Sequence, residues 1–176
     1  MVRQREEMMG QLLLLITGIP ATGKSHFGRW LSIEHKYVHV DIEEAGRLDR
    51  LRLGAAWNAC FQTGDVSLLV AKLRALGPYV ALDWGFPPEW LHVVQGMKSA
   101  GVDIWWFDGD RARAREEFVK RGTVPVSALD VQMAKIQSRW AEIQNLFGPN
   151  RIDVIASNGQ RMSPEEIWRH IEAHAA

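Results

Sequence analysis

The chain has 176 residues, 47% of them hydrophobic, with 21 Lys and Arg balancing 21 Asp and Glu for a formal net charge of zero. That length suits one domain with a sizeable core, and the charge balance removes any bulk electrostatic case for nucleic acid or a membrane surface as partner. Cys60 is the single cysteine, so no intrachain disulfide forms, as expected in a reducing cytosol and of a cytoplasmic protein.

In chain order, residues 1–10 are polar and charged and read as a flexible extension, ahead of one domain spanning residues 11–176. Gln11–Thr17 is an apolar run of strand length, too short for a signal-peptide core or a membrane span. It leads into Gly18-Ile-Pro-Ala-Thr-Gly-Lys-Ser25. This segment fits G-x-x-x-x-G-K-[ST], a phosphate-binding loop. Gly18 and Gly23 let the backbone turn tightly and approach a phosphate. Backbone N–H groups at Gly18, Ala21, Thr22, Gly23, Lys24, Ser25 and His26 are expected to form an anion nest closed by a helix N-terminus. Lys24 is placed to reach β- and γ-phosphates, and the Ser25 hydroxyl to ligate Mg²⁺. The helix that follows carries Phe27, Trp30 and Leu31 at helical spacing. Gly28 inside it costs about 1 kcal/mol relative to Ala, which a close approach of helix and sheet explains.

Tyr37–Asp41 reads as a second strand ending in a carboxylate. One helix is expected over Glu43–Phe61, a break at Gln62–Gly64, and a short helix over Asp65–Leu76 before the Gly77-Pro78 turn. Tyr79–Asp83 is a third strand, again ending in Asp. A helix over Pro87–Ala100 stops at Gly101. Val102–Phe107 is a fourth strand, followed by a helix over Arg111–Arg121 with Gly122 just past its end. A long helix is expected over Ser127–Phe147 and a fifth strand over Arg151–Ala156. The last helix opens with Ser163-Pro-Glu-Glu166, an N-cap serine with the returning Glu of a capping box.

Strands alternating with helices predict an α/β fold, a parallel sheet covered by helices on both faces. Ligands then bind outside the carboxyl ends of the strands. The Gly18–Ser25 loop, Asp41, Asp83 and Asp108 should gather on that rim. Asp41 reads as a catalytic carboxylate or as the cap of the next helix. Asp83 reads as an outer-sphere Mg²⁺ ligand, a substrate contact or a turn residue, and Asp108 as a turn or cap residue. Trp57, Cys60, Trp84 and Trp90 read as an aromatic wall beside an acceptor or as core. His35 and His39, like His170 and His174, lack a recognised metal spacing and read as solvated. Arg111, Arg113 and Arg115 read as charged surface.

The fifth strand runs into Ala156-Ser-Asn-Gly-Gln160, which lacks the guanine-reading Asn-Lys-x-Asp of a GTPase, and Asp83-Trp84 is not the acidic pair of a AAA+ or helicase motor. What remains is a small kinase. Gly18–Ser25, the strand ending in Asp41, Val80–Asp83, and Trp105–Asp108 followed by a helix ending in Arg121 resemble the small-molecule and polynucleotide kinases of the phosphate-loop superfamily. The nearest pattern is the zeta-toxin and polynucleotide-kinase-like group; shikimate, gluconate and adenylate kinases are more distant. The resemblance implies a single-domain three-layer sandwich with a five-stranded parallel sheet of order 2-3-1-4-5, ATP and Mg²⁺ as cofactors, and an arginine-bearing lid over residues 121–128. It implies Asp41 as the base for a substrate hydroxyl, Lys24 and Arg121 as the cations that neutralise the transition state, and an adenine-contacting loop at Ser157–Met162. The helices over residues 43–77 are the substrate side, where Arg47 is the nearest arginine for gripping substrate, with Asp83 and Trp84 as further contacts. Where relatives carry a second lid arginine, this chain has Glu117. The expected partner is a small-molecule hydroxyl acceptor. A polynucleotide 5′ end, a toxin-like target, or ATP binding without transfer are the alternatives, and no membrane partner is expected.

Overall fold

The computed structural model describes residues 12–122 and 125–174. Residues 1–11 lie outside that range, so the expected extension does too. Five strands alternate with helices: β1 (Leu12–Gly18), β2 (Val38–Asp41), β3 (Tyr79–Asp83), β4 (Asp103–Gly109) and β5 (Arg151–Ile155). All neighbouring pairs are parallel, in the order β2-β3-β1-β4-β5. The chain is therefore the α/β sandwich with the 2-3-1-4-5 sheet that the resemblance implied. β1 pairs on both sides, so its near-continuous Leu/Ile run is buried on both faces, as a central parallel strand requires.

Helix α1 (Lys24–Glu34) follows the loop, and α9 (Pro164–His174) closes the chain. Alternation along β4 separates the two layers. Phe107 meets Phe27 of α1 at 5.5 Å between ring centroids, and Trp105 meets His170 of α9 edge-on. Trp106 points to the opposite face, against Trp140 and Phe147 of α8 (Trp140–Phe147). At the start of α9 the capping box forms in both directions: the Ser163 N–H donates to Glu166 Oε2 at 2.7 Å, and the Glu166 N–H to Ser163 Oγ at 3.3 Å.

Two expected helices are interrupted. The Glu43–Phe61 helix is a turn, then α2 (Arg47–Arg50) and α3 (Gly54–Thr63), separated at Arg52, whose φ of 56° is left-handed. The break lets Leu53 bury itself, with its N–H donating to the Leu48 carbonyl. The expected Ser127–Phe147 helix divides into α7 (Val126–Ser138) and α8 at Arg139, whose guanidinium donates to the Pro88 carbonyl at 2.6 Å. Helices α4 (Ser67–Arg74), α5 (Leu91–Ser99, entered through a 3₁₀ turn at Pro88–Trp90) and α6 (Arg111–Arg121) complete the set.

Candidate active site

β1 delivers the chain to the rim at Gly18, in register with Phe107 of β4. A Cβ on Gly18 would fall 2.0 Å from the Phe107 carbonyl oxygen, and its φ of 138° belongs to glycine. The Ile19 N–H then donates to that same carbonyl at 3.1 Å. Ala21 and Gly23 both take positive φ, 63° and 89°, and turn the chain back into α1. Thr22 Oγ1 donates to the Ile19 carbonyl at 2.8 Å. Lys24 Nζ donates to the Ile19 and Gly18 carbonyls at 3.0 and 3.4 Å. Gly23 caps α1 without a side-chain acceptor. The first-turn N–H groups at Lys24, Ser25 and His26 therefore have no intrahelical acceptor, and the helix dipole adds to them. A Cβ at Gly23 would meet nothing within 4 Å, so the bend faces open space. The result is a concave, donor-rich loop suited to a polyanion.

Arg161 was not among the residues expected here. Both its terminal nitrogens donate to the Ala21 carbonyl at 3.2 Å, bracing the loop from the segment after β5. That segment holds the expected adenine loop, and the bridge between Ile155 and Arg161 folds it back beside the strand.

Across the rim, register places Asp41 beside Asp83, and Asp83 beside Ile16. His39 and Asp41 share one face of β2, two residues apart. His39 is 7% exposed and Asp83 3%, with His39 Nε2 3.6 Å from Asp83 Oδ2. This corrects the expectation of a solvated His39. A Cβ on Gly28 would fall 2.3 Å from His39 Nε2, so the mid-helix glycine is where α1 presses on the imidazole ring. Asp41 Oδ1 accepts the Glu43 N–H at 2.9 Å, a turn that fixes the carboxylate's direction. The Glu43 carboxyl joins this group. Loss of surrounding solvent pushes it above its ordinary value, Lys24 opposes the rise, and Asp83 and Asp41 add to it.

Other expected residues are placed differently. The Arg47 guanidinium donates to the His39 carbonyl and lies 3.9 Å from Glu44, so it braces the edge strand rather than projecting into a groove. The cleft beside the β2 turn, about 290 Å³, is lined by Glu43, Glu44, Leu48, Asp49 and Asn58 among others, with no Lys or Arg in its wall. Trp84 is a core residue: its N–H donates to the Ile16 carbonyl, and its indole lies edge-on to Trp57 and Phe61 and tilted on Phe86. Asp108 is a buried strand-end residue that accepts from the Gly109 N–H and Trp106 Nε1. Arg121 ends α6, but its side chain, like lid residues 123–124, lies outside the described residues. Arg115 pairs with Asp130 at 3.1 Å, linking α6 to α7, and Arg113 with Glu116 at 3.0 Å. None of the helices among the described residues is long and apolar enough to cross a membrane.

No family model matches the sequence, and no curated protein does. Solved structures do. A gluconokinase from Sinorhizobium meliloti 1021 aligns with a TM-score of 0.53 at 14% identity, covering 93% of this chain and 90% of its own. A shikimate kinase from Bacteroides thetaiotaomicron aligns with a TM-score of 0.51 at 12% identity, covering 92% of this chain and 93% of its own. At these identities the likeness is one of fold. The phosphate loop at the end of the central strand, in a five-stranded parallel sheet of this order, gives the chain the P-loop kinase fold.

Proposed function

We propose that the protein is an ATP-dependent kinase that transfers the γ-phosphoryl group to a hydroxyl of a small molecule. The observation that supports this most is the juxtaposition of the concave, donor-rich loop at residues 18–25 with the turn-fixed carboxylate of Asp41 on the same rim. Phosphoryl transfer asks a protein chiefly for alignment and positive charge. Loop amides at Gly18 and from Ala21 to His26 hold the triphosphate, and Lys24 follows the γ-phosphate. Asp41 orients the acceptor hydroxyl and takes its proton as the new O–P bond forms and the bond to the β-phosphate oxygen breaks, releasing ADP. Arg121, at the end of α6, is the lid cation in this reading. The hard oxygen of Ser25, in the first turn of α1 beside the open bend, fits Mg²⁺; when bound, that ion offsets phosphate charge.

The carboxylate-lined cleft next to Asp41 favours a neutral or cationic hydroxyl compound. It weighs against a polynucleotide 5′ end, and so against a polynucleotide-kinase member of the group that the sequence resembles. A coupled assay of ADP release against sugars, nucleosides, amino alcohols, aminoglycosides and oligonucleotides tests the reading. One acceptor should stimulate turnover, Lys24→Ala should abolish it, and Asp41→Asn should lower the turnover rate by about two orders of magnitude or more while sparing ATP binding. ATP binding with no acceptor-dependent ADP from any compound would instead indicate a nucleotide-binding regulator.

A further inference from the structure

The geometry points to a protein-only binding site for a first-row divalent cation, such as Zn²⁺, Co²⁺ or Mn²⁺, formed by His39, Asp41 and Asp83 at the ends of β2 and β3. One ligand atom from each residue lies within 4.8 Å of the others. Two of these atoms, His39 Nε2 and Asp83 Oδ2, are buried without a hydrogen bond in the fold. Each is oriented towards the other at 3.6 Å. Orphaned buried polar atoms of this kind cost stability unless something occupies the gap. Tetrahedral ligands about 2.0–2.2 Å from one ion stand about 3.3–3.6 Å apart. His39 and Asp83 already have that separation, and Asp41, within 4.8 Å of both, closes the triad by about 1 Å or less.

The groups are also held in place, which lowers the cost of binding. The imidazole rests against Gly28, and the Asp41 carboxylate is fixed by the Glu43 N–H. Two carboxylates match the charge of a divalent ion, and one imidazole nitrogen shifts preference away from Mg²⁺ towards first-row metals. Asp41 is only half-buried, so the fourth position opens on the rim. Three protein ligands with an open position are the pattern of a reactive rather than a structural site. The site shares Asp41 with the kinase reading, but it is separate from Ser25 and needs no nucleotide, so metal affinity is measured apart from turnover.

The test uses the full chain carrying His174→Asn, which removes the stacked His170–His174 pair as a competing chelate. In metal-free buffer without nucleotide, Co²⁺ should bind at one equivalent with a visible absorption band, Zn²⁺ should abolish the band, and the thermal midpoint should rise with either ion. His39→Gln and Asp83→Asn should each weaken binding by more than the ~10–100-fold typical of losing a partner behind a ligand. If either variant fails to fold, Mn²⁺ added to the ¹⁵N-labelled parent should selectively broaden the amide signals of Gly28, His39 and Asp83. Absence of the band and of any thermal shift overturns the site, as does binding that both variants retain or Mn²⁺ broadening that falls elsewhere. Whether ATP is consumed bears on neither result.

Discussion

Gly28 shows how one missing Cβ couples a helix to a sheet. In isolation, Gly28→Ala would favour the helix by about 1 kcal/mol. Here the added methyl would overlap the His39 ring at 2.3 Å. Overpacking of this kind costs about 1–3 kcal/mol, so the variant should be less stable in urea unfolding and should displace His39 from Asp83. Glu43 gives a prediction in pH. Its folded-state value is raised from 4.5, so the fold holds the protonated carboxyl more tightly than the unfolded chain does. That contribution is present below the unfolded value and lost as pH rises through the folded one. Glu43→Gln mimics the protonated form, so its melting temperature should gain on the parent as pH rises above the ordinary carboxylate range; a difference that does not change with pH would remove Glu43 from the cluster. The loop motif was legible because its chemistry is local in sequence. His39 was not, because the glycine eleven positions earlier signals a close approach of helix and sheet without naming the side chain it meets.

Periodicity located every strand and nearly every helix, and failed where a helix stops without a glycine or proline. Arg52 takes a left-handed φ of 56°, a conformation that arginine seldom adopts and that no local signal announces. It persists because it turns Leu53 into the core. Arg139 likewise ends α7 through a bond to Pro88, 51 residues earlier. Arg161 belongs to this scale as well, since it joins the segment after β5 to the loop after β1. Its loss frees the Ala21 carbonyl and loosens the nest. Arg161→Ala should weaken ATP binding by about tenfold or less, the equivalent of one charge-assisted bond at a solvent-exposed site, with little change in melting temperature. Calorimetry on the folded variant reads this directly, and full ATP affinity would show that the loop needs no such brace.

For the whole molecule, the α/β architecture was readable because buried parallel strands announce themselves as short apolar runs. The strand order came from resemblance rather than from any pattern in the residues, and the pairing of Asp41 with Asp83 follows from it. The cleft beside the β2 turn was less legible. Arg47 and Arg50 are drawn to Glu44 and to backbone carbonyls, contacts no local pattern announces, and the described lining carries carboxylates. The aromatic core crosses the sheet's outer face from Trp84 through Phe86 to Phe147. Phe147→Ala should cost about 3–5 kcal/mol by denaturant unfolding, with the transition remaining a single cooperative step because both helical layers share one sheet.

The lysine of the Gly18–Ser25 loop also belongs to the loop's own architecture. Its ammonium donates to the carbonyls of Ile19 and Gly18, tying the tip of the bend to the strand that delivers it. Shortening that side chain to one without an amine would therefore loosen the bend itself, and a loss of anion affinity in such a variant would report two deficits at once.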